Sequence, residues 1–208
     1  MPDLTHWGIF LTAALLLAIT PGPGIFYVLS RSIRGGRQEG VHSSLGTAVG
    51  GLVHVMAAAL GISAILASSA IAFLVVKYAG AAYLIYLGIT TIRQTDKAPA
   101  LENAAEGFSR NAFHQGITTE VLNPKTALFF LAFIPQFVNP AGNVALQFLL
   151  LGSISVSLNT LVDLVVATLA GPIGQRLRSS VRLRRRQQQV SGGMLVGLGL
   201  YVALADAE

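Results

Sequence analysis

Between Trp7 and Ser30 the chain carries no Lys, Arg, Asp or Glu, and five later stretches are nearly as free of charge. A helix needs about 20 residues to cross the hydrocarbon layer, and six stretches approach or exceed that length, at about 7–30, 43–67, 71–93, 112–135, 145–171 and 189–205. A chain that is 53% apolar and 11% charged, with a mean hydropathy of +0.64, holds too much apolar surface for one water-bounded core. The expectation is an all-α integral membrane protein of six transmembrane helices. Trp7 to Thr20 resembles a signal peptide in apolarity, but Asp3 and His6 precede it without any Lys or Arg. It reads as a retained first helix.

The net charge of +5 does not indicate nucleic-acid binding, because the basic residues fall between the apolar runs and not on one soluble face. Twelve of the fourteen Lys and Arg occupy the first, third and fifth connections: Arg31, Arg34 and Arg37; Arg93, Lys97 and Arg110; and six arginines from Arg176 to Arg186. Short cytoplasmic loops concentrate basic residues, so these three connections are expected in the cytoplasm and both termini outside. The Arg176–Arg186 cluster is also a candidate contact for anionic lipid headgroups. The absence of cysteine excludes disulfides, thiol-redox chemistry and cysteine-held metals. No cofactor or bound metal is expected.

The hydrophilic stretch Gln94–Asn111 divides the chain into two sets of three helices. Residues 1–94 form the first repeat, 95–111 a cytoplasmic linker and 112–208 the second. Thr20-Pro21-Gly22-Pro23 in helix one has a weak echo in Leu122-Asn123-Pro124-Lys125 of helix four. An odd number of crossings in each half makes such copies inverted repeats, an architecture common among transporters.

Proline removes a backbone donor and glycine loosens the chain, so Pro21-Gly22-Pro23-Gly24 is expected to break helix one, and Asn123-Pro124-Lys125, with Pro135 beyond it, helix four. Within lipid a break is tolerated only against protein or a water-filled cavity. Its exposed N–H groups can receive a carboxylate, here proposed at the Gly22 to Ile25 backbone with Lys125 beside it. A kink without a ligand is the alternative.

Intramembrane charges usually mark a pathway or relay, because burying one costs several kcal/mol unless it is paired or solvated. Glu120, Lys125 and Asp163 qualify, and His54 is a weaker candidate. Asn159 precedes Asp163 by four residues and shares its helical face, a polar stripe in an apolar helix. Asp163 is expected to pair with a substrate ammonium or with Lys125, and to carry a proton when that partner leaves. The alternatives are a static Asp163–Lys125 ion pair, an interfacial Glu120 and a packing His54. Gly46-x-x-x-Gly50 and Gly193-x-x-x-Gly197 are small-residue spacings suited to close helix packing within the bundle or to a homodimer. Trp7, Tyr83 and Tyr86 read as interface or packing aromatics.

Ile19-Thr-Pro-Gly-Pro-Gly24, Gly80-Ala-Ala-Tyr-Leu-Ile-Tyr-Leu-Gly88, Asn123-Pro-Lys125 and Phe133-Ile-Pro-Gln-Phe137, in this order and with His54 and Asp163, resemble the LysE/RhtB amino-acid exporters across essentially the whole chain. The resemblance implies a bacterial inner-membrane protein, not an enzyme, that exports amino acids with the proton-motive force. It also places the Pro-Gly break, the Asn-Pro-Lys segment and the fifth-helix Asp in the central pathway. The expected partners are a neutral or basic amino acid, protons and membrane lipids. Two transport alternatives stand beside this reading: divalent-cation efflux using Asp163, Glu120 and His54, and a passive solute channel. An intramembrane hydrolase lacks any nucleophile motif to support it.

Overall fold

The computed structural model describes residues 4–20, 22–68, 70–93, 111–139, 141–179 and 181–204. Among these residues every regular element is helical. α1 spans Leu4–Ile19, α2 Pro23–Ser68, α3 Ala70–Arg93, α4 Ala112–Val121 and α5 Pro124–Leu128. A π-helical turn at Phe129–Phe133 and a 3₁₀ turn at Ile134–Phe137 continue α5, followed by α6 over Val144–Ser179 and α7 over Val181–Leu204. Three stretches are long and apolar enough to cross a membrane, Pro23–Gly61, Leu74–Arg93 and Val144–Ala170. Ala112–Val121 with Pro124–Phe137, bent by 47°, makes a fourth, while Trp7–Ile19 and Gln188–Leu204 are shorter apolar helices. The anticipated first helix is thus not one straight span. It is divided between α1 and the start of α2.

The arginine-bearing connection expected between the first two helices is helical, with a single break at Gly36 (φ 78°, ψ −177°). That backbone conformation is essentially restricted to glycine. It lets α2 bend sharply: Arg31 and Glu39 lie 3.5 Å apart across the break, whereas eight residues of straight helix would separate them by about 12 Å. Residues 23–35 and 37–68 are therefore two helical segments on either side of the break. Pro21 and residues 94–110, which include nearly all of the anticipated linker, lie outside the described residues.

α2 packs along both α4 and α6, and α3 along α7. The glycines of Gly46-x-x-x-Gly50 work as anticipated, since a Cβ on Gly46 would strike the Phe113 carbonyl and one on Gly50 would come within 2.7 Å of the Glu120 Cβ. Gly193 and Gly197 do not, as nothing lies within 4 Å of either. α7 instead turns the neighbouring Gly192 and Gly199 towards α3, where added Cβ atoms would come within 2.5 Å of the Gly88 and 2.7 Å of the Ala81 carbonyl oxygens. A shift of one or two positions on a helix changes the face by 100° or more, which spacing alone cannot register. Gly197 and Gly8 line an apolar groove of ≈ 580 Å³ between α1 and α7. Tyr83 and Tyr86 are exposed, as surface aromatics.

Candidate functional site

The break in helix one is filled by charged side chains of helix four. α1 stops at Ile19, and a helix end leaves backbone carbonyls without partners. Lys125 Nζ donates to two of them, Thr20 O at 2.8 Å and Leu17 O at 3.1 Å. A cation at a helix C-terminus is also favoured by the helix dipole. Beyond the break Pro23 opens α2, a position where its missing N–H costs nothing. Here the neighbour is an anion: a Cβ on Gly24 would stand 2.6 Å from Glu120 Oε2, and one on Gly22 would stand 3.2 Å from Lys125 Nζ. Each glycine of the Pro-Gly-Pro-Gly segment thus makes room for one charge. The backbone at Gly22 to Ile25 is expected from sequence to face a substrate carboxylate; in this conformation the protein's own Glu120 carboxylate stands beside Gly24.

Helix four is broken at Asn123, which caps α5 by accepting from the Lys125 backbone N–H at 3.1 Å, with Pro124 next in the chain. The Asn123 side chain has a second task, donating to Glu120 Oε2 at 3.1 Å, while Thr126 donates to Oε1 at 2.6 Å. Both Glu120 oxygens are therefore satisfied, and the residue is 1% exposed. It is not an interfacial side chain. His54 is half-buried, with Nε2 2.9 Å from the Glu120 carbonyl oxygen and its ring stacked on Phe130. A carbonyl only accepts, so this nitrogen donates.

Asp163 is fully buried on α6. Its Oδ2 accepts from Thr47 at 2.9 Å and its Oδ1 has no partner. Among the described residues no direct ion pair joins Asp163 or Glu120 to Lys125, although both carboxylates lie within electrostatic reach of it. The static Asp163–Lys125 pair considered from sequence is absent. Nor do Asp163, Glu120 and His54 converge as a metal site, since the described residues contain no cluster of three or more potential ligands of that kind.

A cavity of ≈ 20 Å³ is lined by Glu120, Lys125, Thr126, Thr47, Asn159 and Ser155, with Ala14, Ala18, Ala48 and Gly51 among the apolar residues; Asp163 stands behind Thr47 and does not itself line it. It holds about one water and is far too small for an amino acid. Phe129 of its lining begins an aromatic cluster, Phe129 on Phe133 at 4.9 Å, Phe133 on Phe137 at 4.9 Å and Phe137 on Phe10 at 5.5 Å. At the Gly36 bend a polar knot ties α2 to α4. Arg31 donates to Gln115, to Glu39 at 3.5 Å and to the Tyr27 hydroxyl at 3.3 Å, and that hydroxyl donates to the Ala112 carbonyl at 2.6 Å. From sequence Arg31 is only an orientation signal. Its 8% exposure in the fold was not visible in a motif, and the sole hint was its spacing of four from Tyr27.

A break in helix one filled by two buried charges from a broken helix four, beside a small cavity, is an arrangement found in membrane transport proteins. The family comparison agrees, matching LysE type translocator over residues 15–206. The chain belongs to that family, whose members are transporters and not enzymes. Similar proteins include an uncharacterized membrane protein of Vibrio cholerae, 30% identical over 99% of this chain and 100% of the other. The membrane protein YrhP of Bacillus subtilis is 30% identical over 94% and 97%. A homoserine/homoserine lactone efflux protein of Salmonella typhimurium is also 30% identical, over 96% of each chain. No solved structure matches the chain.

Proposed function

We propose that this protein is a secondary exporter of amino acids across the bacterial inner membrane, driven by the proton-motive force. One observation carries the reading: a small cavity beside two broken helices is lined by one cation, Lys125, and one carboxylate, Glu120, with a second buried carboxylate, Asp163, held behind the lining residue Thr47 and carrying one unpartnered oxygen. An α-amino acid is a zwitterion, so a fixed ammonium and a carboxylate with free acceptor capacity are complementary to it. Lys125 would turn from the Thr20 and Leu17 carbonyls to the substrate carboxylate, and Asp163 would receive the ammonium. The charge sum of the three groups is −1 unless one carboxyl is protonated, and Asp163, with a single donor, is the group we assign to the proton. Glu120, held by Asn123 and Thr126, keeps the two helix breaks together.

Six spanning segments arranged as inverted repeats, with both termini outside, accommodate the bend at Gly36 and the bend within helix four. A central cavity too small to pass a solute supports alternating access over an open channel. The homoserine/homoserine lactone efflux named for a relative supports an amino-acid-like solute. The test is efflux from proteoliposomes loaded with a panel of amino acids and divalent metal ions, with and without an imposed proton gradient. Gradient-dependent amino-acid efflux is expected; metal efflux, or efflux indifferent to the gradient, would defeat the reading.

A further inference from the structure

The groove of ≈ 580 Å³ runs from Gly8 to Thr20 on α1 and from Met194 to Tyr201 on α7. Ile9, Leu16 and Tyr201 of its lining are exposed, so it lies on the outer surface of the bundle, where a membrane protein meets lipid. The described residues that line it include no charged side chain. The Thr20 hydroxyl, one of the few polar groups there, donates to the Leu16 carbonyl at 2.7 Å. An amino acid would bring two charges into this groove and find no partner for either, which is unfavourable. A hydrocarbon chain brings none.

The N-terminal end of α7 distinguishes this groove from an ordinary lipid-facing surface. Arg182 and Arg186 are exposed and stand four residues apart, neighbours on one face of the helix. Arg186 precedes Gly197 by eleven residues, three turns, so the two lie within about 20° of each other around the axis. The arginine pair therefore continues the edge of α7 on which Gly197 lines the groove. Measured along that axis, Met194 is about 12 Å and Tyr201 about 22 Å beyond Arg186. Headgroups stand roughly 20 Å from the bilayer midplane, so a lipid whose phosphate meets the arginines has its acyl chain at the depth of the groove. A second copy of the chain fits less well. Both copies would cross the membrane in the same sense, and a two-fold contact on this face would bring the arginines of one copy level with those of the other, like charge against like.

We propose that the groove and the arginine pair form one binding site for an anionic phospholipid, with its phosphate held by Arg182 and Arg186 and an acyl chain laid between α1 and α7. Arginine offers a phosphate paired donors, and basic residues at a membrane surface attract anionic lipid. The chain enters beside Thr20, whose hydroxyl lies 3.2 Å from the Met194 sulfur. It thus packs against the helix end that Lys125 closes.

The test titrates the purified full-length protein, delipidated in detergent, with phosphatidylglycerol and with phosphatidylcholine of the same acyl chains, and counts bound lipid by native mass spectrometry. One phosphatidylglycerol should be retained per protein, at a concentration about tenfold or more below that needed for phosphatidylcholine. Replacing both arginines, Arg182→Gln with Arg186→Gln, should abolish this preference and leave weak binding of either lipid. Gly197→Leu adds a side chain where a Cβ meets nothing within 4 Å, so the variant should fold, and it should weaken both lipids together. Glycerol phosphate, which carries the anion without a chain, should not compete at the same concentrations. The proposal is overturned if the arginine variant keeps the wild-type preference, if Gly197→Leu binds phosphatidylglycerol normally, or if glycerol phosphate competes as well as the lipid. A dimer without lipid that Gly197→Leu dissociates would overturn it in favour of a second copy.

Discussion

Lys125 Nζ stands 2.8 Å from the carbonyl oxygen of Thr20, so a cation from the second half of the chain closes the helix end created by the break in the first. The contact joins residues 105 positions apart, and the same ammonium reaches Leu17 O at 3.1 Å, the carbonyl whose helical donor would be the N–H that proline lacks at position 21. It is also the contact that a substrate carboxylate must compete for if Lys125 is to bind it.

Replacing Lys125 with Met removes both the cation and the donor. Two buried carbonyls would lose a bond, each at a cost of about 1–3 kcal/mol, so the purified variant should melt several degrees lower. Driven efflux should fall by more than tenfold, while Lys125→Arg retains a measurable fraction. Wild-type efflux by Lys125→Met at equal membrane abundance would remove this residue from the site.

Gly24 and Glu120 should behave as a coupled pair. A methyl at position 24 would lie 2.6 Å from Glu120 Oε2, and that carboxylate is pinned by Asn123 and Thr126. Gly24→Ala is therefore expected to destabilise the protein by about 1–3 kcal/mol, as overpacking does. Glu120→Asp, one methylene shorter, should recover part of that loss, giving a double-mutant coupling of about 0.5 kcal/mol or more. Strictly additive melting shifts would mean that the close approach has no energetic weight.

For Asp163 the expectation separates proton coupling from structure. Asp163→Asn preserves size and can still pair with Thr47, yet it cannot take up or release a proton. Gradient-driven accumulation should disappear while exchange of substrate across the membrane persists. Because no direct ion pair links Asp163 to Lys125, adding Lys125→Met should not restore driven efflux. Full driven transport in Asp163→Asn, or rescue by the double variant, would refute the assignment.

Orientation can be read with single cysteines, since the chain has none of its own. Asn143 lies between the 3₁₀ turn and α6, and Gln38 just beyond the Gly36 bend, and both are exposed. With the arginine-rich connections in the cytoplasm, an impermeant maleimide should label Asn143→Cys in intact cells and Gln38→Cys only after permeabilisation. Equal labelling of both in intact cells would reverse or break the topology.

The helical membrane class, the breaks at Pro21–Gly24 and Asn123–Lys125, and the candidacy of Lys125, Glu120 and Asp163 were all legible in the sequence. Each follows from a local property: the length of an apolar run, the backbone chemistry of Pro and Gly, or the free energy of a charge placed in an apolar segment. Which groups meet was not legible. Sequence allowed Asp163 to pair with Lys125, but in the fold Lys125 reaches back to the Thr20 and Leu17 carbonyls and Asp163 takes Thr47. It did not show that the Glu120 carboxylate stands beside Gly24 at the start of α2. It assigned Arg31 to a loop, and the fold buries it in a knot with Gln115, Glu39 and Tyr27. Spacing on one helix specifies which residues share a face, whereas the choice among partners on different helices depends on the rotation and offset of each helix against its neighbours. Those are decided by close packing between glycines such as Gly46 and Gly116, a property of surfaces that exist only once the helices have assembled.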